Sequence, residues 1–255
     1  VLGDQADNAE ITFLLDNGVD MHSYQPSAED IMKISSCDVF VYAGGESDAW
    51  ASDALKNASN KNMQVINLLD VLGEHAKEEA TVEGMQGADE HEHGSGEPSE
   101  EEPEYDEHVW LSLKNAQLFV SAIADSLSQA DTAHADAYAA NAVAYNKQLA
   151  QLDAPYQSAV DAAPIKTVLF ADRFPFRYLV DDYGLSYYAA FSGCSADTQA
   201  SFDTIIFLAN KVNELGLHSI LTIENSDDKI ANTIIQNTQS RDQQVRTLNS
   251  MQTVT

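Results

Sequence analysis

From His134 to Ala162 the chain carries one uninterrupted helical pattern. Tyr138, Ala142, Tyr145, Leu149, Leu152 and Tyr156 recur at spacings of 4, 3, 4, 3 and 4, which keeps them on one side of an α-helix. The segment has no glycine and a single proline, Pro155, late in its course. At the α-helical rise it would run about 43 Å, longer than a small domain is wide. A helix of that length reads as a rod joining two lobes, with the Tyr138/Tyr145/Tyr156 stripe turned into a core and Pro155 kinking its far end.

The chain on either side of the rod alternates short β-rich runs with helical ones, the pattern of α/β lobes with mainly parallel sheets. Before it, strands are expected at Glu10–Leu15, Asp38–Tyr42 and Gln64–Leu68. Helices are expected from Ser27, where Asp30 three residues on completes a capping signature, around Trp50 and Leu55, and over Ser112–Ser128. After it, strands are expected at Lys166–Phe170, Leu185–Phe191, Ser219–Ile223 and Gln244–Leu248. The helices there fall at Phe174–Asp182, Phe202–Leu215 and Asp228–Gln236. The resulting division is an N-terminal α/β lobe over 1–133, a linker helix over 134–162 and a C-terminal α/β lobe over 163–255.

Charge removes several functions. The 13 basic and 41 acidic residues leave a formal net charge of −28, which repels nucleic-acid phosphates and anionic lipid alike. No apolar run reaches the roughly 18 residues a membrane span needs. Residues 74–107 concentrate the acidity, with 14 acidic residues against the single basic Lys77. They read as a mobile surface loop. Within it the run Glu90-His91-Glu92-His93 suits metal gathering by His91 and His93.

Two further histidines stand where the chain enters helices. His22 lies in Asp20-Met21-His22-Ser23-Tyr24-Gln25-Pro26-Ser27, and His108 in Asp106-Glu107-His108-Val109-Trp110-Leu111-Ser112. Each has an aspartate two residues earlier, a plausible partner for fixing the tautomer of a metal-bound imidazole. Taken alone, two separated histidines are weak evidence, more often ordinary surface or hydrogen-bonded side chains.

Longer stretches carry more weight. GVDMHSYQPSAEDI resembles the G-x-D-P-H-x-Y-x-P-S-x-x-D signature of the zinc- and manganese-binding lipoproteins that feed ABC transporters (cluster A-I, zinc-uptake type). DEHVWLSLKNA resembles their D-P-H-x-W-L-S-P-x-N-A motif. CDVFVYAGGESDAW, between these two, and FADRFPFRYLVDDYGL and SADTQASFDTI, after them, are similar to further blocks of the same family, all standing in the family's order.

The resemblance implies two similar α/β lobes on one rigid helix with a metal cleft between them, and His22 and His108 as metal ligands. It places the family's third ligand on Ala171, which cannot ligate, and a late aspartate on Asn249, which offers only a neutral oxygen. Asp172, Glu224, Cys194 or a loop histidine are the candidates to complete the shell. For Asp172 the competing role is an ion pair with Arg173 or Arg177, for Glu224 a supporting position, and for Cys37 and Cys194 burial as small apolar residues, in opposite lobes and without a disulfide.

The implied function is extracytoplasmic capture of Zn²⁺, with Mn²⁺ as the alternative, and its delivery by a monomer to an ABC permease. The membrane would be met only through a lipid anchor, at the cell surface or in the periplasm. No catalytic turnover is expected. Imidazoles bind metal when neutral, so affinity should fall below about pH 6.5. Relatives of this type carry a strand and helix ahead of the region matching Val1 and a closing helix beyond Thr255, so the chain reads as truncated at both ends. The alternatives are a secreted zinc-dependent hydrolase, which lacks an H-E-x-x-H or G-x-S-x-G signature here, and an altered-ligand adhesin or binding module of the same fold.

Overall fold

The computed structural model describes residues 1–15, 21–86, 104–195 and 199–252. Contacts group the chain into two compact units. Unit 1 comprises 1–76, 112–156 and the residues from 251 on; unit 2 comprises 77–111 and 157–250. This partition differs from the linear one, because the 77–111 segment belongs with the later half of the chain.

The first α-helix of unit 1 is α1 (Ala28–Ser36), set by a reciprocal cap. The Ser27 hydroxyl accepts from the Asp30 N–H at 3.2 Å, and the Asp30 carboxylate accepts from the Ser27 N–H at 2.8 Å. That backbone hydrogen bond also holds the Asp30 carboxyl below its ordinary pKa. β1 (Val39–Tyr42) and β2 (Gln64–Asn67) pair in parallel, with α2 (Ala49–Lys56) as the crossover between them. Ile34, Phe40, Ala51 and Ala54 form the core there.

α3 (Leu68–Leu72) follows β2, and α4 (Leu113–Ala130) enters from Ser112, whose hydroxyl accepts from the Asn115 N–H. α5 (Ala135–Ala162) is the long helix, continuous through Pro155. Its stripe is covered unevenly. Tyr138 and Ala142 are buried with Val120 and Ala124 of α4, but Tyr145, Leu152 and Tyr156 are 47%, 50% and 45% exposed. The reading of the whole stripe as core is therefore corrected: α4 and the first residues of the chain cover its opening turns only.

The Glu10–Leu15 run, expected as a strand, forms none. Ile11 and Phe13 are 57% and 59% exposed, and Leu14 packs against the Phe40 core from an irregular backbone. A short apolar run becomes a strand only where a sheet edge pairs with it, and periodicity does not reveal that edge.

Unit 2 is built on β3 (Thr167–Phe174), α6 (Arg177–Tyr183), β4 (Ser186–Ser192), α7 (Phe202–Leu215), β5 (Ser219–Thr222), α8 (Lys229–Asn237) and β6 (Gln244–Thr247). All pairings are parallel, in the order β4-β3-β5-β6. Successive side chains of β3 serve two cores, as a sheet buried on both faces requires. Leu169 and Ala171 pack with Leu208, Val212 and Ile234 of α7 and α8. Phe170 and Phe174 pack with Phe176, Val180 and Leu111 on the other face.

β3 runs further than its sequence suggests because a bulge between Phe170 and Arg173 restores its pairing with β4. The start of the acidic segment belongs to this unit as well. Glu78 bridges Tyr105, Gln86 N–H donates to Ala190 O at 3.0 Å, and Met85 is buried in the Phe170 core. The expectation of a mobile loop throughout 74–107 thus fails for 77–86, where Val82 and Met85 anchor an otherwise charged stretch. Among the described residues no helix is long and apolar enough to cross a membrane.

Candidate metal centre

Because the strands of unit 2 are parallel, their carboxyl ends share one edge of the sheet, the edge at which open α/β sheets bind ligands. Most of the residues singled out by sequence gather there. Asp172 lies in the bulge near the end of β3, and Cys194, Glu224 and Asn249 each follow the end of β4, β5 and β6 by two residues.

His108 reaches this edge from the 77–111 segment and is fully buried. Its ring lies against Gly193, where an added Cβ would come within 3.0 Å of Cε1 and 3.2 Å of Nδ1. The aspartate two residues earlier does what the spacing suggested. Asp106 Oδ1 sits 3.0 Å from His108 Nδ1 and accepts the His108 backbone N–H at 2.8 Å. A hydrogen bond donated from Nδ1–H to that carboxylate leaves Nε2 as the ring's metal-binding position, the arrangement of a carboxylate-oriented metal ligand.

The turn is locked from both sides. Trp110 Nε1–H donates to Ser250 O at 2.9 Å. The Tyr178 hydroxyl donates to Asp106 O at 3.0 Å and accepts from Lys77 N–H at 3.1 Å. Burial pushes the Tyr178 phenol up to about 12.

In unit 1 His22 lies on the short helical turn Met21–Ser23, half-buried, with Nδ1 2.8 Å from Ser47 Oγ. Ser47 belongs to the turn after β1, so this imidazole too is tied to the carboxyl end of a parallel strand. In that turn Gly44 has φ +92°, and a Cβ on it would come within 2.3 Å of Asn67 Oδ1. Gly44 N–H donates to Asp48 at 3.1 Å, and burial raises the Asp48 carboxyl pKa.

A family model described as ZnuA, zinc-uptake complex component A, periplasmic, matches residues 2–255. The chain belongs to the ZnuA family. The zinc-binding protein AdcA of Streptococcus pyogenes is 31% identical over 234 residues, which is 89% of this chain and 44% of that protein. The manganese-binding lipoprotein MntA of Halalkalibacterium halodurans is 26% identical over 191 residues, 72% of this chain and 55% of that one. The crystal structure of the Zn(II)-bound ZnuA-like domain of Streptococcus pneumoniae AdcA superposes with a TM-score of 0.72 at 26% identity, over 100% of this chain and 84% of that one. The chain spans less than half the length of the AdcA relative it matches.

Within this ZnuA-type fold the remaining candidates sort by what they touch. Asp172 is engaged by backbone: it accepts from Arg173 N–H at 2.9 Å and from Ile223 N–H at 3.4 Å, pinning the bulge to β5. Glu224 accepts from Ser250 N–H at 2.7 Å and from the Ser250 hydroxyl at 2.5 Å, fastening the segment after β6. Asn249 is exposed. Ala171 is 1% exposed inside the α7/α8 core, so that position does not face the ligand edge. Counting the family motif back from Tyr183-Gly184-Leu185 reaches Arg173 instead. A guanidinium, like the Ala171 methyl, offers no lone pair to a cation. His91 and His93 lie outside the described residues.

One residue escaped the sequence reading. Glu107 is 2% exposed, and its carboxylate comes within 4.8 Å of the Cys194 thiol. The signal was available: it replaces the proline of the family's D-P-H, a charged residue where the motif has none. Both cysteines are free thiols. Burial drives the Cys194 thiol pKa far upward, and Glu79, Glu107, Asp106 and Glu104 add to that shift.

Proposed function

We propose that the chain is the metal-capturing solute-binding component of an ABC uptake system. Its cargo is Zn²⁺, with Mn²⁺ as the competing ion, and it works by binding and release rather than turnover. It acts outside the cytoplasm as a monomer, held at the membrane by a lipid anchor, and passes the ion to a permease. His108 and His22 are the imidazole ligands in this reading. Asp172 and Glu224 hold the edge in shape rather than donate to the ion, since their oxygens already accept from neighbouring residues.

The observation that carries the reading is the buried Asp106–His108 pair. Orienting an imidazole by a carboxylate at zero exposure is costly for a surface histidine to adopt by chance and is what a metal ligand needs. The AdcA and MntA relatives, named for zinc and manganese binding, agree with the choice of cargo.

Elemental analysis of purified protein, followed by competition titration of zinc against manganese, tests the proposal. One equivalent of zinc bound tightly, with a rise in melting temperature on loading, is the expected result. A melting curve unmoved by either ion would overturn it.

A further inference from the structure

Two short stretches of unit 2 pair just before the chain reaches His108. Glu78 bridges Tyr105 in antiparallel fashion, Glu79 N–H donates to Glu104 O at 2.8 Å, and Asp106 N–H donates to Lys77 O at 2.8 Å. Continued regularly, an antiparallel ladder would have Lys77 and Asp106 exchange a second bond, from Lys77 N–H to Asp106 O. That bond is replaced. Lys77 N–H donates to the Tyr178 hydroxyl at 3.1 Å, and the hydroxyl donates to Asp106 O at 3.0 Å. A phenol from α6 thus stands inside the ladder at its last rung, two residues short of His108. We propose that Tyr178 is a positioning residue for metal capture, its hydroxyl setting the spacing of that rung and so aiming the Asp106 carboxylate at His108 Nδ1. This rests on the reading of the chain as a metal-capturing protein with His108 as a ligand, and names a residue that acts on that ligand through Asp106.

The chain of bonds is continuous and enclosed. Asp106 accepts the His108 backbone N–H at 2.8 Å and lies 3.0 Å from its Nδ1. Asp106, His108 and Tyr178 are 2%, 0% and 3% exposed, so bulk water does not compete for their partners and a shift of the Asp106 carbonyl carries its carboxylate along. Burial raises the phenol to about 12, which keeps the donor proton in place throughout the neutral range. α6 also holds Lys77 by its side chain, through an ion pair of Nζ with Asp181 at 2.9 Å, but partial exposure makes that contact weak. A phenylalanine ring would fill the same space without the bridging oxygen. The rung would then close directly or admit a water, and either change re-aims the carboxylate.

The test uses the full chain with zinc as the probe. Tyr178→Phe should weaken zinc binding about tenfold in competition titration. The ¹⁵N spectrum of the metal-free His108 ring, assigned by comparison with His108→Gln at a pH where the ring is neutral, should show a single tautomer protonated at Nδ1 in the wild type and a mixture in Tyr178→Phe. Lys77→Ala keeps the backbone N–H and loses only the ion pair, so both readouts should stay at wild type; losses equal to those of Tyr178→Phe would overturn the role of the hydroxyl. A phenol with a merely structural role would lower the melting temperature of the metal-free variant and move neither readout.

A folded Tyr178→Phe that keeps wild-type zinc affinity or the wild-type ring spectrum overturns the inference and leaves the capture function standing. Should that variant not fold, the wild type decides. Its Tyr178 hydroxyl proton should exchange slowly and its resonance should move when zinc binds; a resonance that zinc leaves in place overturns the inference equally. A wild type that binds no zinc sinks the capture reading and the inference with it.

Discussion

The two units seat their imidazoles differently. Unit 2 encloses His108 completely and orients it with a buried carboxylate, at the edge of a four-stranded sheet. Unit 1 leaves His22 half-buried on a single helical turn, opposite a serine hydroxyl, beside a sheet of two strands. A charged acceptor in a dry setting fixes both tautomer and ring angle, whereas a hydroxyl can either donate or accept. The comparison teaches that one imidazole is held rigid and the other adaptable, which suits the capture and release proposed above.

The largest effect should come from removing the rings. His108→Ala should abolish tight zinc binding and also cost the metal-free protein about 2–3 kcal/mol, because Asp106 loses a buried partner. His22→Ala should cost zinc affinity at least tenfold but change metal-free stability by less than about 1 kcal/mol. Calorimetry with denaturant melts checks both, and equal stability losses would break the contrast.

Next come the orienting groups. Asp106→Asn should lower zinc affinity by about 10–100-fold, and Ser47→Ala by much less; a reversed ranking in competition titration would make the hydroxyl the stronger support. Glu224→Gln should destabilise unit 2 by about 1 kcal/mol through its weakened hold on Ser250, with zinc affinity preserved. A tenfold loss of affinity there would promote Glu224 to a ligand.

The smallest effect is at alkaline pH. The folded Tyr178 phenol is raised to about 12, above the roughly 10 of an unfolded tyrosine. Keeping it protonated therefore contributes stability that is complete below about pH 10 and lost as pH climbs from there towards 12. Tyr178→Phe should flatten that stretch of the stability–pH curve measured by chemical denaturation.

Much of this was legible in the residues. The long helix, β4 through β6, the Ser27–Asp30 cap and the Asp106–His108 partnership all follow from local spacing, because a cap or an i,i+2 contact needs no distant partner. What failed was non-local. Whether Glu10–Leu15 pairs depends on an edge elsewhere in the chain. The burial of Tyr145 and Tyr156 depends on what packs above them, and the bulge that places Asp172 depends on the register of β4. The anchoring of 77–86 turned on Val82 and Met85, two apolar side chains outvoted by the charge around them. Glu107 was hidden by the motif itself, since attention fell on the histidine that the pattern marks.

Gly193 leaves the imidazole of His108 less than a methyl's clearance, with the Phe174 carbonyl equally close. Glycine and alanine codons differ by one base, so a single nucleotide change at Gly193 can displace this ring without altering it. The placing of an imidazole is then inherited partly in a residue that does nothing but stay small.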